Sequence, residues 1–340
     1  MRQVVSDADI REAAARLHGV AVGTTLVPFP GLSASGPGKL LIKPECLQPV
    51  GSFKLRGAYN AISARPAADR SRGVVAHSSG NHGLAVAYAA RLLGLPAVIV
   101  VPETAPPVKT DAIRACGGEL VTVAPTMAAR LQGAQDVVDQ RGYTLIPPFD
   151  HPDVIAGQGT IGLEIMASQP DTDLILVPVS GGGLISGIAI AARSVNPDVT
   201  VIGVEPELAA DARDSLAKGE RVAWPARSVQ QTVADALRVE QVGELPFALM
   251  QEYVAGVVTV TDPQILATMG RLATEARLVA EPGGAAAVAA WLFARAELPA
   301  AQRPVAVLSG GNVDPALLAR VIADGPNDEQ GPDTPEPARH

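Results

Sequence analysis

Gly73-Val74-Val75-Ala76-His77-Ser78-Ser79-Gly80-Asn81-His82-Gly83 is the stretch that decides the fold class of this chain. A short β-branched run enters a turn of small residues, and a helical pattern over 82–93 follows. The same alternation continues outward, with strands expected over 97–101, 119–123 and 143–146 and helices over 108–116 and 128–140. Short apolar strands alternating with helices imply βαβ units and a parallel sheet. The joint Pro147-Pro148-Phe149-Asp150-His151-Pro152 separates this series from a second one. There, strands are expected over 174–179, 199–204, 257–260 and 304–308, with helices over 184–194, 263–278 and 285–294. These strands read as continuous apolar runs, as sheets covered on both faces require.

Upstream, Ser6-Asp7-Ala8-Asp9 reads as a capping box opening a helix to residue 17, with Ile10, Ala13, Ala14 and Leu17 on one face. Thr24-Thr25-Leu26 begins an extended segment, 28–38 is a Gly/Pro/Ser loop, 39–43 a strand and 58–64 a helix. The end of the chain, 325–340, is Pro/Asp/Glu-rich and is expected to be disordered.

The bulk properties exclude several classes. The net charge is −8 and the pI near 5.2, which argues against nucleic acid as a partner. Cys46 and Cys116 have no paired spacing, so neither a disulfide framework nor a Cys-based zinc site is expected. No run approaches the roughly 20 apolar residues of a membrane span. A soluble, cytoplasmic protein is the expectation.

Between the strand at 39–43 and the helix at 58–64 lies Gly51-Ser52-Phe53-Lys54-Leu55-Arg56-Gly57-Ala58. Among 27 Lys and Arg residues, only Lys39, Lys43, Lys54, Lys109 and Lys218 are lysine. A primary amine can lose its proton on desolvation and add to a carbonyl, which a guanidinium cannot. Three strand ends carry Gly/Ser-rich turns, where parallel α/β folds bind ligands. Ser78 to Gly83 suits a carboxylate. Ser180-Gly181-Gly182-Gly183-Leu184 suits a phosphate at the positive end of a helix dipole. Ser309-Gly310-Gly311-Asn312 offers a hydroxyl at the edge of the same cleft. The Gly181 loop has a competing reading as a dinucleotide site, because Glu205 ends the next strand where a ribose-binding acid would sit. The turn is not G-x-G-x-x-G, however, and an NAD-dependent dehydrogenase remains the rival.

Taken together, Ser52 to Ala58, Ser78 to Gly83, Ser180 to Leu184 and Ser309 to Asn312 resemble, in order and spacing, the pyridoxal-phosphate-dependent serine/threonine dehydratases of fold type II (tryptophan synthase β-like), with which serine racemase belongs. The resemblance runs over about 7–323 and includes Val154-Ile155-Ala156-Gly157-Gln158-Gly159-Thr160 and Glu281-Pro282-Gly283-Gly284-Ala285. It implies an α/β fold of two domains, each an open, mostly parallel sheet flanked by helices. Residues 1–65 plus 150–324 would form the large cofactor domain and 66–149 the small one. It also implies an ammonia-lyase (EC 4.3.1) that converts threonine, serine or a related β-hydroxy amino acid to a 2-oxo acid and ammonia, with racemisation of serine as the alternative.

By the same resemblance, Lys54 is the Schiff-base lysine and Asn81 the partner of the cofactor's phenolic oxygen. Gly181, Gly182, Gly183 and Leu184 are the phosphate cradle, and Ser309 faces the pyridine nitrogen. Ser78, Ser79, Asn81 and His82 hold the substrate carboxylate, and Ser79 is the second, opposite-face base of the racemase. In Glu205-Pro206-Glu207-Leu208-Ala209-Ala210-Asp211 the ligands of a divalent cation would be Glu205, the Ala209 carbonyl and Asp211, an all-oxygen set suited to Mg, Ca or Mn. A homodimer is implied, and a regulatory domain after Ser309 is not expected.

Overall fold

The computed structural model describes residues 4–29, 39–66 and 72–325. The expected loop at 28–38 from position 30 onward, and the expected disordered tail after Gly325, lie outside the described residues.

Two sheets organise the chain. The larger has six strands: β1 (Val27–Pro28), β2 (Leu41–Pro44), β7 (Leu174–Pro178), β8 (Thr200–Pro206), β9 (Gly256–Val260) and β10 (Pro304–Leu308), in the order β1-β2-β10-β7-β8-β9. Only β1 against β2 is antiparallel. The smaller has four parallel strands, β3 (Val74–Ala76), β4 (Ala97–Pro102), β5 (Glu119–Val123) and β6 (Thr144–Leu145), in the order β5-β4-β3-β6. Every residue of β7 and β10 is buried, because helices cover both faces of the large sheet. The α/β architecture of two mostly parallel, helix-flanked sheets is therefore the one expected.

The capping box at Ser6 and Asp9 is present, and the helix Asp7–Leu17 buries Ile10, Ala13 and Leu17. Differences from the sequence reading concentrate around glycines. The helix Pro152–Ser168 was expected only as a motif. Its Gly157, Gly159 and Gly162 lower intrinsic helix propensity, and packing overrides that cost. Those glycines let backbones touch: a Cβ at Gly187, in the helix Gly183–Val195, would fall 2.3 Å from the Ile155 carbonyl oxygen. The helices Asp211–Lys218 and Glu244–Tyr253 were also not anticipated. The helix expected over 263–278 is regular only over Asp262–Arg271, passes through a π turn at Leu272–Ala276 and stops at Arg277 with φ of 58°. Among the described residues no helix is long and apolar enough to cross a membrane.

The most consequential difference is at Lys54, which the sequence placed before a helix expected to begin at residue 58. It is instead the first residue of the helix Lys54–Ser63. Two residues on, the fully buried Arg56 anchors that helix. Its Nε donates to Glu45 Oε2 at 2.8 Å, its Nη1 to Glu164 Oε1 at 2.6 Å, and its Nη2 to Glu45 Oε1 and Glu164 Oε2, each at 2.9 Å. Lys43, buried in β2, donates to Glu164 and to the Thr24 carbonyl. Two cations thus face two carboxylates. Burial opposes the Arg56 charge, and the carboxylates of Glu45 and Glu164 outweigh it, so its pKa stays above the ordinary arginine value. Removing one member of such a cluster strands the others uncompensated. Arg56→Met should therefore lower stability by about 3–5 kcal/mol, measured as a lower denaturant midpoint at unchanged m-value.

Candidate active site

The three Gly/Ser turns all lie at carboxyl ends of strands, after β3, β7 and β10. The turn after β10 is stitched to the segment entering the Lys54 helix. Phe53 N–H donates to the Ser309 carbonyl at 3.0 Å and Gly311 N–H to the Gly51 carbonyl at 2.8 Å, and Ser52 and Gly310 form an antiparallel bridge. Lys54 and Ser309 are thereby held side by side in the chain trace. Ser309 is buried, and the Ser52 hydroxyl is buried with no hydrogen-bond partner. Lys54 Nζ donates to the Pro148 carbonyl at 2.8 Å and lies 5.0 Å from the centre of the Phe53 ring. Burial pushes its pKa down to about 8, opposed by the Glu281 charge. An amine in that range has a substantial neutral, nucleophilic fraction near neutral pH.

Asn81 opens the helix Asn81–Leu92. Gly80 precedes it with no side-chain cap, and the first turn carries no acid. The first N–H groups of this helix therefore remain free of side-chain capping and attract an anion. The Asn81 carboxamide is held at both ends: Nδ2 donates to Glu281 Oε1 at 2.6 Å, and Asn312 Nδ2 donates to Asn81 Oδ1 at 2.7 Å. Burial raises the Glu281 pKa to about 8, and Asp235 adds to the rise. Ser78 Oγ accepts from Gly80 N–H at 3.3 Å, and Ser79 is half-buried. His82 is committed elsewhere. Its Nε2 lies 2.8 Å from the Ile146 carbonyl, which can only accept, so that nitrogen carries the proton. Burial, then Lys54, depresses its pKa to about 3, so the ring is neutral. What His82 brings to the helix mouth is its main-chain N–H.

The second glycine turn has the same lack of a side-chain cap. Gly182 caps the helix Gly183–Val195 with φ of 85°, without a side-chain cap and without an acid in the first turn. The Phe149 ring packs so closely that a Cβ on Gly181 would lie 2.2 Å from it. Only glycine leaves this backbone open to a ligand. Leu184 is buried behind the turn.

Glu205, Ala209 and Asp211 are all buried at the end of β8. Glu205 Oε1 and Oε2 accept from Ala212 and Arg213 N–H at 3.1 and 2.9 Å, and Asp211 Oδ2 accepts from Val242 N–H at 2.7 Å. Burial, then repulsion from Asp211, holds the Glu205 pKa well above the carboxylate range; burial lifts Asp211 to about 7. Such a pair favours a proton or a cation between its members. Among the described residues no group of three or more His, Cys, Asp or Glu side chains forms a metal cage, and the expected set is two carboxylates and a carbonyl. A Glu205 sealed from solvent, with both oxygens on main-chain N–H groups, is not presented to a ribose. The dinucleotide reading loses its acid.

Sequence reasoning passed over Glu281 and Asn312 as individual residues, although both stood inside quoted motifs. A glutamate before a proline reads as a helix entry, and an asparagine after two glycines reads as a turn. Only the fold sets them on either side of Asn81.

A family model described as pyridoxal-phosphate dependent enzyme matches residues 5–310. L-threonine ammonia-lyase of Thermotoga maritima is 41% identical over 320 residues, covering 93% of this chain and 78% of that protein. L-threo-3-hydroxyaspartate ammonia-lyase of Saccharomyces cerevisiae is 38% identical over 94% of this chain and 97% of its own length. Among solved structures, maize serine racemase superposes with a TM-score of 0.89 at 36% identity, covering 94% of this chain and 98% of that one. The match over residues 5–310, with relatives at 38–41% identity on a shared scaffold, places the chain in the pyridoxal-phosphate dependent enzyme family.

Proposed function

We propose that this protein is a pyridoxal-phosphate-dependent ammonia-lyase that turns threonine, serine or a related β-hydroxy amino acid such as 3-hydroxyaspartate into a 2-oxo acid and ammonia. The observation that carries the reading is Lys54, an amine with a pKa near 8 held next to the Ser309 turn, in a fold with two helix N-termini that no side chain caps. The residues present fit the cofactor. The Gly181, Gly182, Gly183 and Leu184 turn would hold its phosphate, Lys54 its aldehyde carbon, Asn81 its phenolic oxygen and Ser309 its ring nitrogen. The orphaned Ser52 hydroxyl, next but one to Lys54, fits a site that a polar group completes. When bound, the cofactor supplies an electron sink for negative charge at the substrate Cα.

The chain's own residues do the rest. The Ser78 to His82 turn receives the substrate carboxylate on its main-chain N–H groups and on the Ser79 hydroxyl, while the Asn81 carboxamide, held by Glu281 and Asn312, is reserved for the cofactor. Neutral Lys54 Nζ takes the Cα proton, for which its lowered pKa suits it. A serine at 309, unlike a carboxylate, would not hold the cofactor's ring nitrogen protonated, which would favour rapid loss of the β-hydroxyl. A second reading, serine racemisation, is supported by Ser79, whose hydroxyl has no competing partner among the described hydrogen bonds and suits the base on the opposite face. Glu205, the Ala209 carbonyl and Asp211 are our candidates for a Mg, Ca or Mn site, since a cation would relieve their mutual repulsion. We further propose a large unit of 1–65 with 150–324 and a small one of 66–149, a homodimer, and a cytoplasmic setting.

Purified protein should show the absorption band of covalently held cofactor, and Lys54→Ala should lose it. Lys54→Arg, which keeps the charge but not the amine chemistry, should lower 2-oxo acid release by about 10³-fold or more. A colourless protein that binds NAD, with Lys54 dispensable, would refute the reading. A panel of β-hydroxy amino acids, assayed for 2-oxo acid and for inversion, separates lyase from racemase.

The rate at which cofactor-free protein takes up pyridoxal phosphate should rise with pH and level off above about 8, because only the neutral amine attacks. A rate still climbing above pH 10 would mean an ordinary lysine. For the cation, EDTA should lower the melting temperature of wild type and leave Asp211→Ala unchanged; equal melting with and without chelator removes the metal site.

A further inference from the structure

Glu281 is a buried carboxyl for which the mechanism above has no use. It forms no ion pair among the described residues, yet the fold makes room for it. Its main-chain N–H donates to the Gly310 carbonyl at 3.1 Å, and a Cβ on Gly310 would fall 2.3 Å from Glu281 Oε1. Its side chain accepts from Asn81 Nδ2 at 2.6 Å. At the other end of the same carboxamide, Asn312 Nδ2 donates to Asn81 Oδ1 at 2.7 Å while also donating to the Val50 carbonyl at 2.8 Å.

These partners fix which way the Asn81 amide faces. A flipped Asn81 would set Nδ2 against Nδ2 of Asn312, donor on donor, and Oδ1 against the Glu281 carboxyl. In the observed orientation Nδ2 spends one hydrogen on Glu281 and Oδ1 is occupied. The second Nδ2 hydrogen is used by neither contact.

Resting on the cofactor assignment above, we propose that Glu281 is a positioning residue. By accepting one Nδ2 hydrogen of Asn81 while Asn312 holds Oδ1, it presents the other Nδ2 hydrogen to the oxygen of the bound cofactor's ring. Burial and the nearby Asp235 raise the Glu281 pKa, but either protonation state keeps an oxygen that can accept from Asn81. The acceptor, not the charge, is the functional element.

The test uses the full chain loaded with pyridoxal phosphate and reads the absorption maximum, cofactor affinity, kcat and KM. Glu281→Ala should shift the absorption maximum, weaken cofactor affinity about tenfold, and lower kcat with KM little changed. Glu281→Gln, which keeps an acceptor oxygen, should restore all three. Asn312→Ala should shift the band in the same direction. Adding Glu281→Ala to Asn81→Ala should change nothing further, because the effect passes through Asn81.

A wild-type spectrum and affinity in Glu281→Ala overturns the proposal. So does a Gln variant as impaired as Ala, or full additivity with Asn81→Ala. If Glu281→Ala does not fold, Glu281→Gln and Asn312→Ala decide. Failure of the underlying cofactor assignment looks different: wild type itself then shows no band.

Discussion

A short antiparallel stitch holds the site together. Gly51 to Phe53 and Ser309 to Gly311 lie more than 250 positions apart in sequence, yet two main-chain hydrogen bonds and the Ser52–Gly310 bridge join them. β2 and β10 pair in parallel, and the antiparallel stitch forms just past the end of β10. Lys54 follows directly from one side and Asn312 from the other. Because β10 also pairs with β7, whose end opens the Gly181 turn, a single run of adjacent strands fixes lysine, hydroxyl and anion turn relative to each other. The Ser78 to His82 turn arrives from the smaller sheet, and Glu281 and Asn312 receive its Asn81.

The electrostatics divide the site by function. Burial moves the two ionisable side chains beside Asn81 and Phe53 toward the neutral range: the Lys54 amine is pushed down and the Glu281 carboxyl up, both to about 8. His82, at about 3, is kept out of proton traffic and serves as a neutral strut to Ile146. The anion-binding turns use main-chain N–H groups at helix ends instead of side-chain cations.

Much of this was legible in the sequence because local patterns carried it. The apolar runs at 174–178 and 304–308 could only be doubly covered strands, and the capping box at Ser6 lay within four residues. The Gly/Ser turns announced themselves by composition. What escaped depended on long-range packing. Helix Pro152–Ser168 hid behind glycines that are there for backbone contact, and Lys54 was placed before its helix because that helix starts under the control of Arg56 and partners over a hundred positions away. The Asn81 clamp was illegible for the same reason. Its two jaws are Glu281, at the head of helix Pro282–Phe293, and Asn312, at the end of the third glycine turn.

The Arg56 cluster has a consequence for the surroundings the protein tolerates. Mobile counter-ions weaken attraction only where they can approach, so an exposed pair such as Arg141 with Glu119 loses much of its strength as ionic strength rises. Arg56 and Glu45 are closed to solvent, and Lys43 lies beneath Glu164. Dissolved salt reaches the protein's rim well before it reaches the root of the lysine helix. The Arg56–Glu45 half of the Lys54 anchor is thus insulated from the ionic composition of its medium, even while the surface charges follow it.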